Sequence, residues 1–366
     1  VIPAATRTTA AAKAALPRLL TTLAPYQAAV LRIGVAGTWG AFLLREWPDR
    51  RVLYGDRSPW SAELNARLLA DTHAFTALSW SDGRWWFEAV YLLALLSAGA
   101  LALGWRTRAS AVLFALTVLS LQNRNVFLGD GGDNLVHLMA IYLVFTRCGT
   151  VWSLDARRRA RRPGKDPAEW GEPRALADAL AAMLHNCAML VVAAQVVLVY
   201  ATAGWYKVQG ARWQDGTAVF YPLKLGYFTP WPELSGLLGG SLLVTFALTY
   251  GTVVMQVGFP FSLAARRLKN VLLAVMVCEH LAIALLLGLP FFSLAMVAAD
   301  AVFLPTAFLL AVQARLTGLR RRAAPPVGPE PAAPVATADP ADPVAAADPA
   351  VDEPPVVAEP VGEQRD

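Results

Sequence analysis

The chain has 366 residues, 56% of them hydrophobic and only 16% charged, with a formal net charge of +5. Soluble domains average about 45–50% apolar residues. Here the excess gathers in runs of about 20 residues, enough to cross about 30 Å of hydrocarbon as helix. An ordinary soluble enzyme is therefore excluded. So is a β-barrel, which would alternate apolar and polar residues over strands of about 10. The expected fold is all-α: a polytopic integral membrane helical bundle of about eight transmembrane helices.

Residues 1–26 are Ala-rich, with Arg7, Lys13 and Arg18, and read as an amphipathic cytoplasmic segment on the membrane surface. No short apolar core with a cleavage site stands there, so the first span is expected to double as the insertion signal. Spans are expected at 27–44, 86–103, 109–121, 135–151, 184–206, 237–259, 270–287 and 291–311. The polar loop from Arg45 to Arg84 carries Trp47, Trp60 and Trp80, and Trp85 and Trp86 follow it. Tryptophan favours the headgroup level, so this loop is expected to lie on the membrane. Residues 214–234 hold three prolines among aromatics, too broken for a span, and read as a surface or re-entrant segment. The transmembrane domain is placed at 27–315. Residues 316–366 are a basic stop followed by a Pro/Ala/acidic tail, expected to be disordered because it cannot bury enough apolar surface.

Charge then orients the bundle. With both termini in the cytoplasm, the inner loops hold Arg106 and Arg108, the Arg157–Lys165 cluster, Arg266, Arg267 and Lys269, and Arg320–Arg322. The outer loops hold fewer basic residues, apart from six arginines in the long first loop. This is the positive-inside pattern of a multi-pass cell-membrane protein. The basic residues form short clusters between spans, so the expected partner is the lipid bilayer and not nucleic acid. Cys148, Cys187 and Cys278 lie in or beside apolar runs and read as small apolar fillers.

Several polar residues stand where lipid should exclude them. Lys207 sits where a long apolar run meets water, in the stretch YATAGWYKVQGARW. It is either a snorkelling anchor or a reactive amine. Ala203 and Gly204 share its helix face and would admit a neighbouring helix closely. Glu279, His280 and Asp300 lie mid-span, where ionisable groups cost several kcal/mol unless paired or facing a cavity. Helical rise puts Glu279 and Asp300 at similar depth, about 14–17 Å from the Gly288 turn, with Arg32 as a candidate partner. They form either a buried structural network or a proton path or pocket. His137 is one turn into the fourth span, within reach of Asp133 and Asn134. Arg124 and Asp130 flank an outer turn and could line a vestibule with Lys207. His185 reads as interfacial. Four histidines this dispersed make no metal site.

Three segments together carry a family resemblance: DNLVHLMAIYLVFTRCGTVWSLD from Asp133, YATAGWYKVQGARWQDG from Tyr200, and EHLAIALLLGLPFFSLAMVA from Glu279. The set resembles the HTTM (horizontally transferred transmembrane domain) family, the membrane domain shared with vitamin K-dependent gamma-carboxylase, over roughly residues 20–315. In the carboxylase, a lysine in a Tyr-x-x-Ala-Gly-x-x-Lys setting shortly before a tryptophan is the base linked to oxygenation of the quinol. The resemblance implies that role for Lys207, with Tyr200, Ala203, Gly204 and Trp213 around it, and a reduced quinone as cofactor. His280 also matches a recurring family position. A functional histidine of the carboxylase falls here at Asp133 or Asn134, with His137 one turn further on. Where the carboxylase has a large soluble domain, an acidic tail is expected here. The domain is also similar to that of a bacterial membrane protein that helps mature a secreted peptide toxin.

Three functions are thus left open. The first is a carboxylase- or oxygenation-type enzyme acting on a quinol-like or lipid-soluble substrate in the outer half of the membrane, with Lys207, His280 and Glu279 as catalytic groups. The second is a non-enzymatic protein assisting export, maturation or tolerance of a secreted peptide. The third is a transporter or proton pathway through Arg32, Glu279 and Asp300.

Overall fold

The computed structural model describes residues 20–161 and 171–323, and every regular element among them is helical. Of the expected N-terminal segment, residues 1–19 lie outside the described residues and Pro25 and Tyr26 already belong to the first helix; the acidic tail lies outside them except for its helical start. The main helices are α1 (Pro25–Arg45), α2 (Ala62–Thr72), α3 (Arg84–Leu103), α4 (Thr107–Gln122), α5 (Gly131–Val144), α6 (Leu154–Arg161), α7 (Glu172–Gln209), α8 (Pro232–Gly240), α9 (Leu242–Ser262), α10 (Arg266–Leu286), α11 (Pro290–Asp300) and α12 (Thr306–Ala323). Residues from Leu316 onward group separately from the rest of the chain.

Five helices, α1, α3, α7, α9 and α10, are long and apolar enough to cross a membrane, and α11 with α12 makes a sixth if a bent pair counts as one span. The expected third and fourth spans correspond to α4, of 16 residues, and α5, of 14. Both are shorter than the roughly 18 residues that a helix needs to cross the hydrocarbon unaided. The expected span 237–259 is divided at Ser241, whose hydroxyl accepts from the Val244 N–H and caps α9. α7 reaches back to Glu172 with Pro173 in its first turn. Its 38 residues correspond to about 57 Å, well beyond one hydrocarbon thickness.

The expected span 291–311 breaks, and α11 and α12 meet at 112°. Pro305 accounts for it. The residue before a proline is pushed out of the helical region, and Leu304 is extended, with ψ 136°. The break frees two carbonyls, and side chains take them. Gln27 donates to the Leu304 carbonyl at 2.8 Å, and the Lys269 ammonium donates to that of Phe303.

α1, α3, α4 and α5 pack in succession, and α7, α9 and α10 form a second group. α11 joins the two groups, because it packs on α1, α5, α7 and α10.

One end of the first group is fastened around Arg32. α3 stops at Gly104 with φ +70°, and the Trp105 N–H reaches back to the Ala100 carbonyl. A Cβ at Gly104 would lie 2.3 Å from Ser153 Cβ and 2.7 Å from Arg32 Nη1, so only glycine fits. The Arg32 guanidinium donates to the carbonyls of Leu101 and Ala102, at 2.5 and 2.7 Å, and to those of Cys148 and Trp152, at 3.2 and 2.7 Å. Asp155 closes the same knot. Its carboxylate accepts from the N–H groups of Arg106 and Thr107, at 3.0 and 2.7 Å, capping α4 from far along the chain.

Partial burial pushes the Asp155 pKa up, but the hydrogen bonds from the Thr107 hydroxyl and the two N–H groups outweigh it and hold the value below the usual carboxylate range. A depressed folded-state pKa adds stability above the unfolded value, near 3.9, which is lost as pH falls through the folded value. Asp155→Ala is expected to cost about 1–2 kcal/mol at neutral pH, with the gap from wild type closing in strong acid. Thermal unfolding of the detergent-solubilised chain from neutral pH downward would measure it.

Candidate functional site

Lys207 lies near the C-terminal end of α7. Side chains on a helix lean toward its N-terminus, so this lysine folds back along α7. Its Nζ donates to Gln256 Oε1 of α9 at 2.9 Å and sits 5.1 Å from the ring centre of Trp213. Trp213 is presented by a single helical turn, Ala211–Gln214, directly after α7. Gly204 makes the approach possible: a Cβ there would lie 2.9 Å from the backbone nitrogen of Val257. One turn before Gln256, Thr252 donates its hydroxyl to Glu279 Oε1 of α10 at 2.8 Å. Lys207 is close enough to Glu279 and His280 for their charges to act on one another.

Seven residues before Lys207, on the same face of α7, stands Tyr200. Its hydroxyl donates to Asp300 Oδ2 of α11 at 3.0 Å, and His280 Nε2 of α10 lies 3.0 Å from the same oxygen. A phenol has one proton to give, so Nε2 of His280 is the donor in that second bond. Tyr200 and Asp300 are each 1% exposed and His280 is 3% exposed. Phe259 packs edge-on to the Tyr200 ring at 5.4 Å. Three polar atoms at this junction have no protein partner: His280 Nδ1, Asp300 Oδ1 and Glu279 Oε2. A buried polar atom left unpaired costs about 1–3 kcal/mol. The cluster therefore keeps unused hydrogen-bonding capacity, which a water, a proton or a polar part of a substrate can take up.

A cavity of about 420 Å³ opens nearby, lined by Trp39, Phe42 and Phe291 among other aromatics, with Arg45 and Asp133. Phe292 links it to the cluster, since it lines the cavity and its ring centre lies 5.7 Å from that of His280. Gly132 holds this wall in place, because a Cβ there would lie 2.7 Å from the Phe292 Cα.

Tyr200, Lys207, Trp213, Glu279, His280 and Asp300 are thus drawn together, Asp133 lines the adjoining cavity, and the remaining candidates stand apart. Arg32 does not pair with the carboxylates, because its donors go to backbone carbonyls at the knot. Arg124 is buried in the first loop, holding the carbonyls of Trp60 and Gly55, and does not meet Lys207. Asp133 forms a reciprocal cap with Asp130 at the start of α5, and Asn134 is exposed. His137 Nδ1 pairs with Gln122 Oε1 at 2.9 Å and not with Asp133. His185, expected at the interface, is fully buried: Nδ1 accepts from the Arg147 N–H at 2.9 Å, so Nε2 donates to the Leu23 carbonyl at 2.7 Å. Sequence reading missed Gln256, Thr252 and Phe292. Gln256, a lone amide in the run VVMQVGF, carried a usable signal. Among the described residues no cluster of His, Cys, Asp or Glu is arranged to hold a metal.

Comparisons with curated proteins and with solved structures found no match. A family model described as the HTTM domain matches residues 70–308. That stretch is more than half of the chain, runs from the end of α2 to the start of α12, and contains all six of the side chains that converge. The chain belongs to the HTTM family of membrane proteins.

Proposed function

We propose that the protein is a membrane enzyme of carboxylase or oxygenation type, with Lys207 as its base and a quinol-like, lipid-soluble substrate in the aromatic cavity. The observation that carries this reading is the placement of Lys207. Its amine is turned in between α7 and α9 onto an amide and an aromatic face, where a snorkelling anchor would reach for water. Lys207 is half-buried, and partial withdrawal from water helps a lysine act as a base, because desolvation disfavours its charged form. A reduced quinone, when bound, would supply an acidic hydroxyl and reducing equivalents. The cavity's aromatic walls suit a planar ring, and Phe292 stands between that ring and His280. Lys207 would take the hydroxyl proton. Gln256 would hold the resulting ammonium and Glu279 would balance its charge, while Tyr200 passes a proton between His280 and Asp300.

In this reading the domain runs over 27–315 with eight crossings, α4 and α5 included, and both termini in the cytoplasm. Lys207 and the cavity then face the outer half of the membrane. The test is oxygen uptake by the purified chain with a reduced quinone. Wild type should turn over, and Lys207→Arg should fall to background, since arginine does not deprotonate. Full activity in Lys207→Arg would end the proposal.

One observation favours a second reading, a non-enzymatic helper for a secreted peptide. Tyr227 is 89% and Trp231 60% exposed in the segment between α7 and α9, a surface suited to docking. That reading expects tolerance at Lys207 and loss of function on Trp231→Ala, a residue that does not line the aromatic cavity.

A further inference from the structure

A second cavity, of about 250 Å³, lies in the first loop, away from the Lys207 cluster. Its notable group is Arg124. The side chain is only 8% exposed, donates Nη1 to the Trp60 carbonyl at 2.9 Å and makes a long bond from Nη2 to the Gly55 carbonyl at 3.4 Å. A guanidinium has five N–H donors, so the remaining ones have no protein acceptor. Among the described residues it forms no ion pair. Asp82, whose charge acts on it, also lines the cavity but is exposed and does not close on it. The other lining carboxylate, Asp56, is held by both of its oxygens on Arg51, at 2.9 and 2.6 Å. A buried cation that no carboxylate contacts is costly, and its spare donors favour an anionic acceptor.

The neighbouring hydroxyls point to the same chemistry. Ser61 Oγ accepts from the Leu64 N–H at 3.2 Å, and Ser81 Oγ accepts from the Gly83 N–H at 3.2 Å. With their oxygens engaged by backbone, both hydroxyl protons remain to be donated, and both serines line the exposed rim of the cavity. Several donors converging on one space match a phosphate, with its many acceptor oxygens, better than a planar carboxylate with two. Trp60, Trp80 and Trp86 surround the loop, the residue type that settles at headgroup level. Tyr54, Leu78 and Phe87 give the cavity an apolar wall.

We infer that this cavity is a phosphate-binding site, for a phospholipid headgroup or for free phosphate, built on Arg124, Ser61 and Ser81. It stands independently of the proposed enzyme activity, because it shares no residue with the Lys207 cluster. The test measures saturable binding of two probes to the full detergent-solubilised chain, radiolabelled inorganic phosphate and a short-chain phosphatidylglycerol. Arg124→Gln should abolish binding but also frees two loop carbonyls. Ala62→Glu is therefore the cleaner variant. It lines the cavity at the first position of α2, where an acid suits the helix dipole. Its charge should weaken binding at least about tenfold, the effect of about 1.4 kcal/mol, with the unfolding temperature kept. Saturation by both probes, or by phosphate alone, assigns free phosphate chemistry, and saturation by the lipid alone assigns a headgroup. No saturable binding of either probe, or equal binding in wild type, Arg124→Gln and Ala62→Glu, overturns the inference.

Discussion

Arg32→Met is expected to leave little folded protein. The guanidinium is fully buried and its bonds tie together the end of α3, through Leu101 and Ala102, and the segment after α5, through Cys148 and Trp152. The carbonyls of Leu101 and Ala102 belong to the last turn of α3, the negative end of its dipole, so the cation is matched without a carboxylate in contact. Hydrogen bonds to a charged group are worth about 1.5–3 kcal/mol each, against a total stability of about 5–15 kcal/mol. Losing the set is expected to cost about 5 kcal/mol or more. Arg32→Lys keeps the charge but not the fork and should fall in between. Fluorescence-detected size exclusion and thermal unfolding of the three chains would read this out. An unfolding temperature for Arg32→Met equal to wild type would show that the knot does not hold the bundle.

Tyr200→Phe is expected to separate stability from function. Removing one oxygen takes away both hydrogen bonds of the phenol and leaves His280 Nε2 and Asp300 Oδ2 unpaired beside atoms that already lack partners. The expected destabilisation is about 1–3 kcal/mol, so the protein should still fold. If Tyr200 carries a proton for Lys207, quinol-dependent oxygen uptake should fall about 100-fold, the scale of a general acid–base contribution. Its pH profile should also change shape, which a merely structural tyrosine would not cause. Wild-type turnover with an unchanged pH profile would remove Tyr200 from any proton path.

Much of this cluster was legible in advance. Lys207, Glu279, His280 and Asp300 stood out because each is ionisable inside an apolar run, and such placement is costly unless something offsets it. Gly204 was legible as a point of close approach, and α9 does close on it. Arg32 drew notice for the same reason as Asp300, but its partners are backbone carbonyls, and every residue has one. No residue-type pattern distinguishes the carbonyls of Leu101 and Trp152 from the rest. The partners of His185 were hidden for a related reason, since its acceptor and donor are the backbone of Leu23 and Arg147. The count of spans was blurred where hydropathy runs on across a helix break, as at Ser241 and Pro305, because lipid solubility depends on composition and helix continuity on backbone hydrogen bonds.

Composition and periodicity alone determined that this is a helical membrane protein, because the price of unpaired backbone in hydrocarbon leaves few other structures for runs this apolar. Residue order alone also determined which side chains were out of place there. Which of them meet was decided only by tertiary structure. α11 packs against helices of both groups and carries Asp300 to Tyr200, while the turn at Gly104 takes Arg32 elsewhere. The reason is physical: an isolated polar group in a span must find a partner, but which partner depends on how helices distant in sequence cross, and that is set by the packing of the whole bundle.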